Sequence, residues 1–166
     1  MRRTQRGLTS LELMVVVGLI VALAGTLLNA LHRQQEEAEK LGMELTVMAM
    51  RTGLLSEMAE RLIKGGDRSA GDLVGVNPAR WLKAPPQGYL GEYKDVNESL
   101  IPPGSWYFDQ NGGEMVYKLN RSSQFRRLEG GEKKEIRWRV QARSGSGKKV
   151  LVEEIVLVPT TGYEWF

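Results

Sequence analysis

Residues 8–31 read LTSLELMVVVGLIVALAGTLLNAL, a run of 24 residues with one ionisable side chain, Glu12, and no proline. As an α-helix this run is about 36 Å long, which is enough to cross the roughly 30 Å hydrocarbon core of a bilayer. Three arginines, Arg2, Arg3 and Arg6, precede it. Because positively charged flanks stay on the cytoplasmic side, we expect a cytoplasmic N-terminus and an exported remainder.

The rest of the chain has the composition of a folded protein. Its 166 residues suffice for one domain, and 42% hydrophobic with 26% charged residues is far from the composition of disordered chains. There is no cysteine, which excludes disulfides, thiolate nucleophiles and zinc–thiolate sites. After residue 7 the chain holds 20 Lys/Arg and 20 Asp/Glu, so the net charge of +3 belongs to the leading arginines rather than to the folded part of the protein.

Residues 32–64 predict a continuation of the same helix. They contain no proline, and their apolar residues recur at helical spacing before the pair Gly65-Gly66. This predicted apolar stripe consists of Ala38, Leu41, Leu45, Met48, Leu55, Ala59 and Leu62. We therefore predict one helix from about Thr9 to Lys64, with its second half covering a soluble domain through that stripe.

The C-terminal part of the chain indicates β-structure. Residues 65–104 hold five of the six prolines and predict a long connecting loop, with a short helix near residues 77–82. From residue 105 onward, strand-like runs flank the turn Gln110–Gly113 and the pair Gly130-Gly131. Short loops between successive strands predict an antiparallel meander. The expected fold is α+β, with one long helix packed on a four- or five-stranded antiparallel sheet.

The head of the apolar run resembles the processing motif of type IV prepilins and type II secretion pseudopilins. That family has a short basic leader ending in glycine, then a hydrophobic residue, and a glutamate at the fifth position after the cut; Gly7, Leu8 and Glu12 occupy these positions. The resemblance implies cleavage between Gly7 and Leu8, N-methylation of Leu8, and pairing of Glu12 with the Leu8 amine of a neighbouring subunit during assembly. It also implies a pilin-like fold.

The resemblance further implies where the protein acts and with what. The expected partners are a prepilin peptidase, other pilin or pseudopilin subunits through the N-terminal helix, an inner-membrane assembly platform and the lipid bilayer. The expected location is the inner membrane, single-pass, with the globular domain periplasmic or extracellular. Lack of proline in the apolar run and lack of cysteine favour a minor pilin or a pseudopilin over a major adhesive pilin. The predicted segments are a leader (1–7), a membrane and polymerisation helix (8–31), its amphipathic continuation (32–64), a loop (65–104) and a sheet region (105–166).

Three other interpretations of the N-terminal segment stay open. Thr9 and Glu12 fit a helix capping box, a local role that is compatible with assembly. Ala22-Leu23-Ala24 fits the cleavage site of an ordinary secretory signal peptide, although the apolar run continues to Leu31. A plain membrane anchor with an interfacial glutamate is the third. Under the last two, the protein is a secreted or singly anchored envelope protein.

The sequence predicts no catalytic site, cofactor or metal. His32 is the only histidine, and no serine or acidic motif accompanies it. Residues 121–149 contain ten Lys/Arg and three Asp/Glu, so nucleic acid is a weak alternative partner of a filament-tip subunit. The candidate contacts are Arg126, Arg127, Arg137, Arg139 and Arg143. The alternative interpretation is that the last three form the solvated basic face of a half-buried strand.

Overall fold

A computed structural model describes residues 9–64, 70–129, 131, 133–143 and 154–166. The prediction of one long helix is confirmed: α1 runs from Ser10 to Ile63. The glycine pair predicted to stop the helix lies outside the described residues. The chain divides into two compact units, residues 1–38 and residues 39–166, which we describe separately.

The first unit consists, where the structure describes it, of the N-terminal part of α1. Its large apolar side chains from Leu11 to Leu31 are all exposed. This part makes α1 the one helix among the described residues that is long and apolar enough to cross a membrane. Exposed apolar surface on this scale is stable only in lipid or against other apolar surfaces.

Within its described residues, the second unit contains two sheets built from seven strands. The strands are β1 (Tyr89–Tyr93), β2 (Ser105–Asp109), β3 (Glu114–Lys118), β4 (Phe125–Arg127), β5 (Glu135–Arg143), β6 (Glu154–Pro159) and β7 (Tyr163–Trp165). The larger sheet has the order β1-β2-β3-β5-β6, and β4 pairs with β7 in a separate two-stranded sheet. The α+β class is confirmed, and the sheet is mostly antiparallel. The connections that the structure describes contain the short 3-10 helices Ala70–Leu73, Pro78–Trp81 and Glu98–Leu100.

Two pairings differ from the predicted meander. Strand β1 lies inside the predicted loop and pairs in parallel with β2, so the sheet is not purely antiparallel. Its position was obscured by Gly91 and the prolines on both sides, which read as loop. Strand β4 pairs with β7 rather than with β5, because Phe125 then faces the C-terminal aromatics, stacking on Tyr163 and lying edge-on to Trp165.

The face of α1 that packs on the sheet is also not the predicted one. Its buried side chains are Met43, Val47, Met50 and Leu54, and they share one core with strand residues such as Trp106 and Trp138. All seven residues of the predicted stripe are exposed instead. The helix carries two apolar stripes, and periodicity alone does not say which of them meets the sheet.

A carboxylate of α1 accepts hydrogen bonds from the loop after β3. Glu39 accepts hydrogen bonds through Oε1 from the Tyr117 hydroxyl (3.0 Å) and the Asn120 backbone amide (2.6 Å), and through Oε2 from the Arg121 amide (2.9 Å). Burial is the main reason that the pKa of Tyr117 is raised, and the neighbouring Glu39 carboxylate adds to it. The helix is therefore tied to the sheet by charge-assisted hydrogen bonds as well as by apolar packing.

The C-terminus folds back onto the domain. Trp165 is buried, and its carbonyl accepts a hydrogen bond from Lys40 Nζ at 2.7 Å. Phe166 stacks on Trp165 with most of its ring exposed, and Lys40 Nζ lies 5.3 Å from its ring centroid. The terminal aromatics therefore complete the core, except for the last ring.

Candidate functional site

The first candidate site is the start of α1. Glu12 Oε2 accepts hydrogen bonds from the Thr9 amide (2.8 Å) and the Thr9 hydroxyl (2.9 Å), and the Thr9 hydroxyl accepts one from the Glu12 amide (3.3 Å). This is the reciprocal geometry of a capping box, so that interpretation of the pair is confirmed. The predicted cleavage and methylation residues, Gly7 and Leu8, lie outside the described residues.

The capping box involves only one of the two oxygens of the Glu12 carboxylate. Both Thr9 donors bind Oε2, and Oε1 accepts no hydrogen bond from the part of the chain that the structure describes. The side chain is exposed on a helix whose neighbours along the chain are exposed apolar residues. A carboxylate in such a segment costs on the order of a few kcal/mol in lipid unless a donor or cation meets it. Within the described residues, a cationic or N–H partner of Oε1 would therefore have to come from outside this capping box.

Arg137, a predicted nucleic-acid contact, lies in a cluster of carboxylates instead of on a free basic face. Its guanidinium donates to Glu135 at 2.9 Å, and to Asp109 and Glu114 at 3.2 Å each. Glu98 lies 3.7 Å away. Burial alone lowers the pKa of Arg137, but the carboxylates outweigh it, so that the pKa is raised and the charge is retained.

The other predicted arginine contacts are mostly paired as well. Arg139 donates to Glu114 at 2.9 Å, Arg126 bonds Glu164 across β4 and β7, and Arg127 lies 3.7 Å from Glu129. Among the described residues, Arg143 alone of the five makes no ion pair. The prediction of a solvated basic stripe is therefore wrong at Arg137. Val116 lies directly opposite Arg137 in the β3–β5 register, and the carboxylates reach its guanidinium diagonally from Glu114 and Asp109 and along β5 from Glu135. This cluster could have been located from the sequence only by predicting how the residues of β2, β3 and β5 pair with one another.

A second candidate site was missed by sequence reasoning. It is a mainly apolar groove of about 780 Å³ between α1 and the segment that follows the 3-10 helix Pro78–Trp81. Leu45, Met48 and Thr52 line it on the helix, and the other side is lined by Trp81, Leu82, Lys83, Ala84 and Pro86. Gly53 lets the two sides meet: a Cβ there would lie 2.8 Å from the Trp81 carbonyl oxygen and 2.9 Å from Trp81 Cβ.

The groove wall is held by a polar network. Asn77 Oδ1 caps the 3-10 helix by accepting from the Ala79 amide, and Asn77 Nδ2 donates to Tyr89 and to Glu92. Hydrogen bonds from Asn77 and Gln110, together with Arg80, lower the pKa of Glu92. The wall is therefore anchored to β1, the strand that sequence reasoning did not find.

Among the described residues, no group of three or more His, Cys, Asp or Glu side chains is placed to hold a metal ion. The two candidate sites are a carboxylate at the head of an apolar helix and an apolar groove. Comparison of the chain with protein-family models, with curated proteins and with solved structures finds no match.

Proposed function

We propose that this chain is a membrane-anchored, pilin-like filament subunit, a minor pilin or a pseudopilin of a type II secretion or type IV pilus system. The supporting observation is that Gly7, Leu8 and Glu12 have prepilin spacing at the head of an exposed apolar helix. That helix continues without a break into an α+β unit. In this proposal a prepilin peptidase on the cytoplasmic face removes residues 1–7 and methylates Leu8.

Glu12 then has two compatible roles. Cleavage between Gly7 and Leu8 leaves the Leu8–Thr9 peptide bond intact, so the capping hydrogen bonds on Oε2 persist in the mature subunit. Oε1, which accepts no hydrogen bond from the described residues, would bind the Leu8 amine of a neighbouring subunit, and that amine exists only after cleavage. In this proposal polymerisation requires processing. Before they pair, subunits stay in the bilayer and bind the assembly platform. The proposed role is structural, without catalysis or cofactor.

N-terminal analysis of the membrane-extracted protein tests the processing step. The expected mature terminus is N-methyl-Leu8. A mature terminus at Gly25 identifies an ordinary signal peptide and refutes the proposal, and an intact Met1 leaves only a plain anchor.

Two substitutions separate the capping role from the assembly role. Glu12→Val is expected to insert in the membrane and be cleaved but to lose incorporation into filaments. Thr9→Val keeps the carboxylate and removes the two capping hydrogen bonds of the hydroxyl, so it is expected to incorporate normally. Equal loss in both variants, or normal incorporation of Glu12→Val, would show that the amine–carboxylate pair is not the assembly contact.

A further inference from the structure

The soluble half of α1 carries an apolar stripe that the rest of the described chain leaves uncovered. We call it the exposed heptad stripe: Leu41, Leu45, Met48, Thr52, Leu55, Ala59 and Leu62. Its five Leu and Met residues are 56–63% exposed. The spacings alternate between four and three residues throughout, which is the a/d repeat of a helix that packs against another helix.

The stripe and the sheet-packing face of α1 lie on opposite sides of the helix. At 100° per residue, their centres are about 140° apart, so a partner on the stripe does not compete with the sheet. The stripe runs for about 30 Å along the helix. Its large side chains expose an area of about 600 Å² on each copy, comparable to the roughly 800 Å² per partner that stable interfaces bury.

One flank of the stripe is built for close approach. The first three e positions of the heptad are Gly42, Ala49 and Ser56, which are small and uncharged, and the fourth, at the end of the helix, is the uncharged Ile63. Ala49 and Ser56 lie in the groove described above, whose opposite wall carries the exposed Lys83. Lys83 makes no ion pair within the described residues. In a parallel helix pair, a g residue lies across from the e residue of the following heptad. Glu44 of a second copy would therefore pass over Ala49 towards Lys83.

We propose that the exposed heptad stripe pairs, in parallel and in register, with the same stripe of a second copy of this chain. The pairing rests on the proposed function for its direction, since two copies anchored in one bilayer have parallel helices. It uses a surface separate from Leu8 and Glu12. The neutral e positions avoid like-charge contacts between identical chains, and Lys83 with Glu44 of the second copy provides complementary charges on both sides of the pair. Confinement to a bilayer raises the effective concentration of the copies.

Disulfide crosslinking of the full chain in lipid nanodiscs or vesicles tests this pairing, because the chain contains no cysteine. Single cysteines are placed at Leu41, Leu45, Met48 and Leu55, with Glu60→Cys as the control. Glu60 is exposed on the same helix but lies about 110° from the centre of the stripe. In a parallel in-register pair, each a or d residue meets its own copy. We expect covalent dimers at all four stripe positions and at least fivefold less at Glu60→Cys.

The charge contact is tested in the Leu45→Cys background. Lys83→Glu is expected to lower the dimer yield about fivefold, as expected for an exposed ion pair turned into a like-charge contact. Adding Glu44→Lys to that variant should restore the yield. A loss that the second substitution does not restore would refute the assigned charge contact.

Three results would overturn the pairing itself. Equal yields at Glu60→Cys and the stripe would indicate random collision, and absence of dimers at the stripe would exclude a second copy as the occupant. Dimers confined to Leu45→Cys and Met48→Cys would indicate an antiparallel pair, in which Glu44 meets Arg51 of the other copy. Repeating the crosslinking with Glu12→Val separates the two proposals, because the stripe should still crosslink if only the N-terminal contact is lost.

Discussion

Replacing glycine by alanine is expected to change the free energy of unfolding in opposite directions at two positions of α1. The difference arises because Gly53 contacts the 3-10 helix Pro78–Trp81 and Gly42 does not. A Cβ at Gly53 would lie 2.8 Å from the Trp81 carbonyl oxygen, whereas a Cβ at Gly42 meets nothing within 4 Å. Replacing glycine by alanine inside a helix gains about 0.5–1 kcal/mol. Gly42→Ala should therefore stabilise the second unit by about that amount.

At Gly53 the same gain is opposed by a clash with backbone atoms. Normal contact requires a displacement of about 0.6 Å, and the wall resists it because Asn77 anchors the 3-10 helix. Overpacking of this kind costs about 1–3 kcal/mol, so the net expectation for Gly53→Ala is a loss of about 1 kcal/mol. The two variants should differ by about 2 kcal/mol in the free energy of unfolding.

Urea unfolding of the full chain in detergent micelles, followed by tryptophan fluorescence, measures this difference. All four tryptophans lie in residues 39–166, so the signal reports the second unit. Similar gains in both variants would refute the close approach of α1 to Trp81. A loss in both would show instead that glycine is needed in α1 for a reason other than this contact.

Three further predictions use the same assay. Glu39→Ala should lower the free energy of unfolding by about 2–3 kcal/mol, because it leaves the Asn120 and Arg121 amides without their charged acceptor. The control Glu60→Ala, at an exposed position, should lower it by about a few tenths of a kcal/mol. Equal effects would contradict the hydrogen bonds of Glu39 to the loop after β3. The folded-state pKa of Glu92 is depressed below its ordinary value of 4.5, so its contribution is present above pH 4.5 and is lost as the pH falls through the folded-state pKa. Glu92→Gln should flatten this acid limb, and an unchanged pH profile would argue against its hydrogen bonds. Trp165→Ala should lower the free energy of unfolding by about 3–5 kcal/mol, because the indole ring is buried. Phe166→Ala should lower it by about 0.5–1 kcal/mol, because that ring is exposed and lies near Lys40. A larger loss for Phe166→Ala would contradict the burial of Trp165.

Local features of this fold could be predicted because their causes lie close together in the sequence. The unbroken run without proline specifies α1, and the turn Gln110–Gly113 specifies the β2–β3 hairpin. The capping box could also be predicted, since Thr9 and Glu12 are one helical turn apart. At the candidate sites, sequence spacing located the Glu12 carboxylate, but it did not indicate the groove, whose walls are about thirty residues apart in the chain.

The amino-acid sequence by itself determined the helix, its apolar N-terminal half and the α+β class, because each follows from composition and period within one segment. Only the tertiary structure decided which of two apolar stripes is buried, since both have helical spacing and the choice depends on the shape of the sheet beneath. It also decided that β1 joins the sheet in parallel and that Arg137 is surrounded by carboxylates. Those outcomes depend on the register between strands, a relation between distant segments that no local pattern contains. Because the stripe containing Met43 and Leu54 packs on the sheet, the exposed heptad stripe stays uncovered in the described part of the chain.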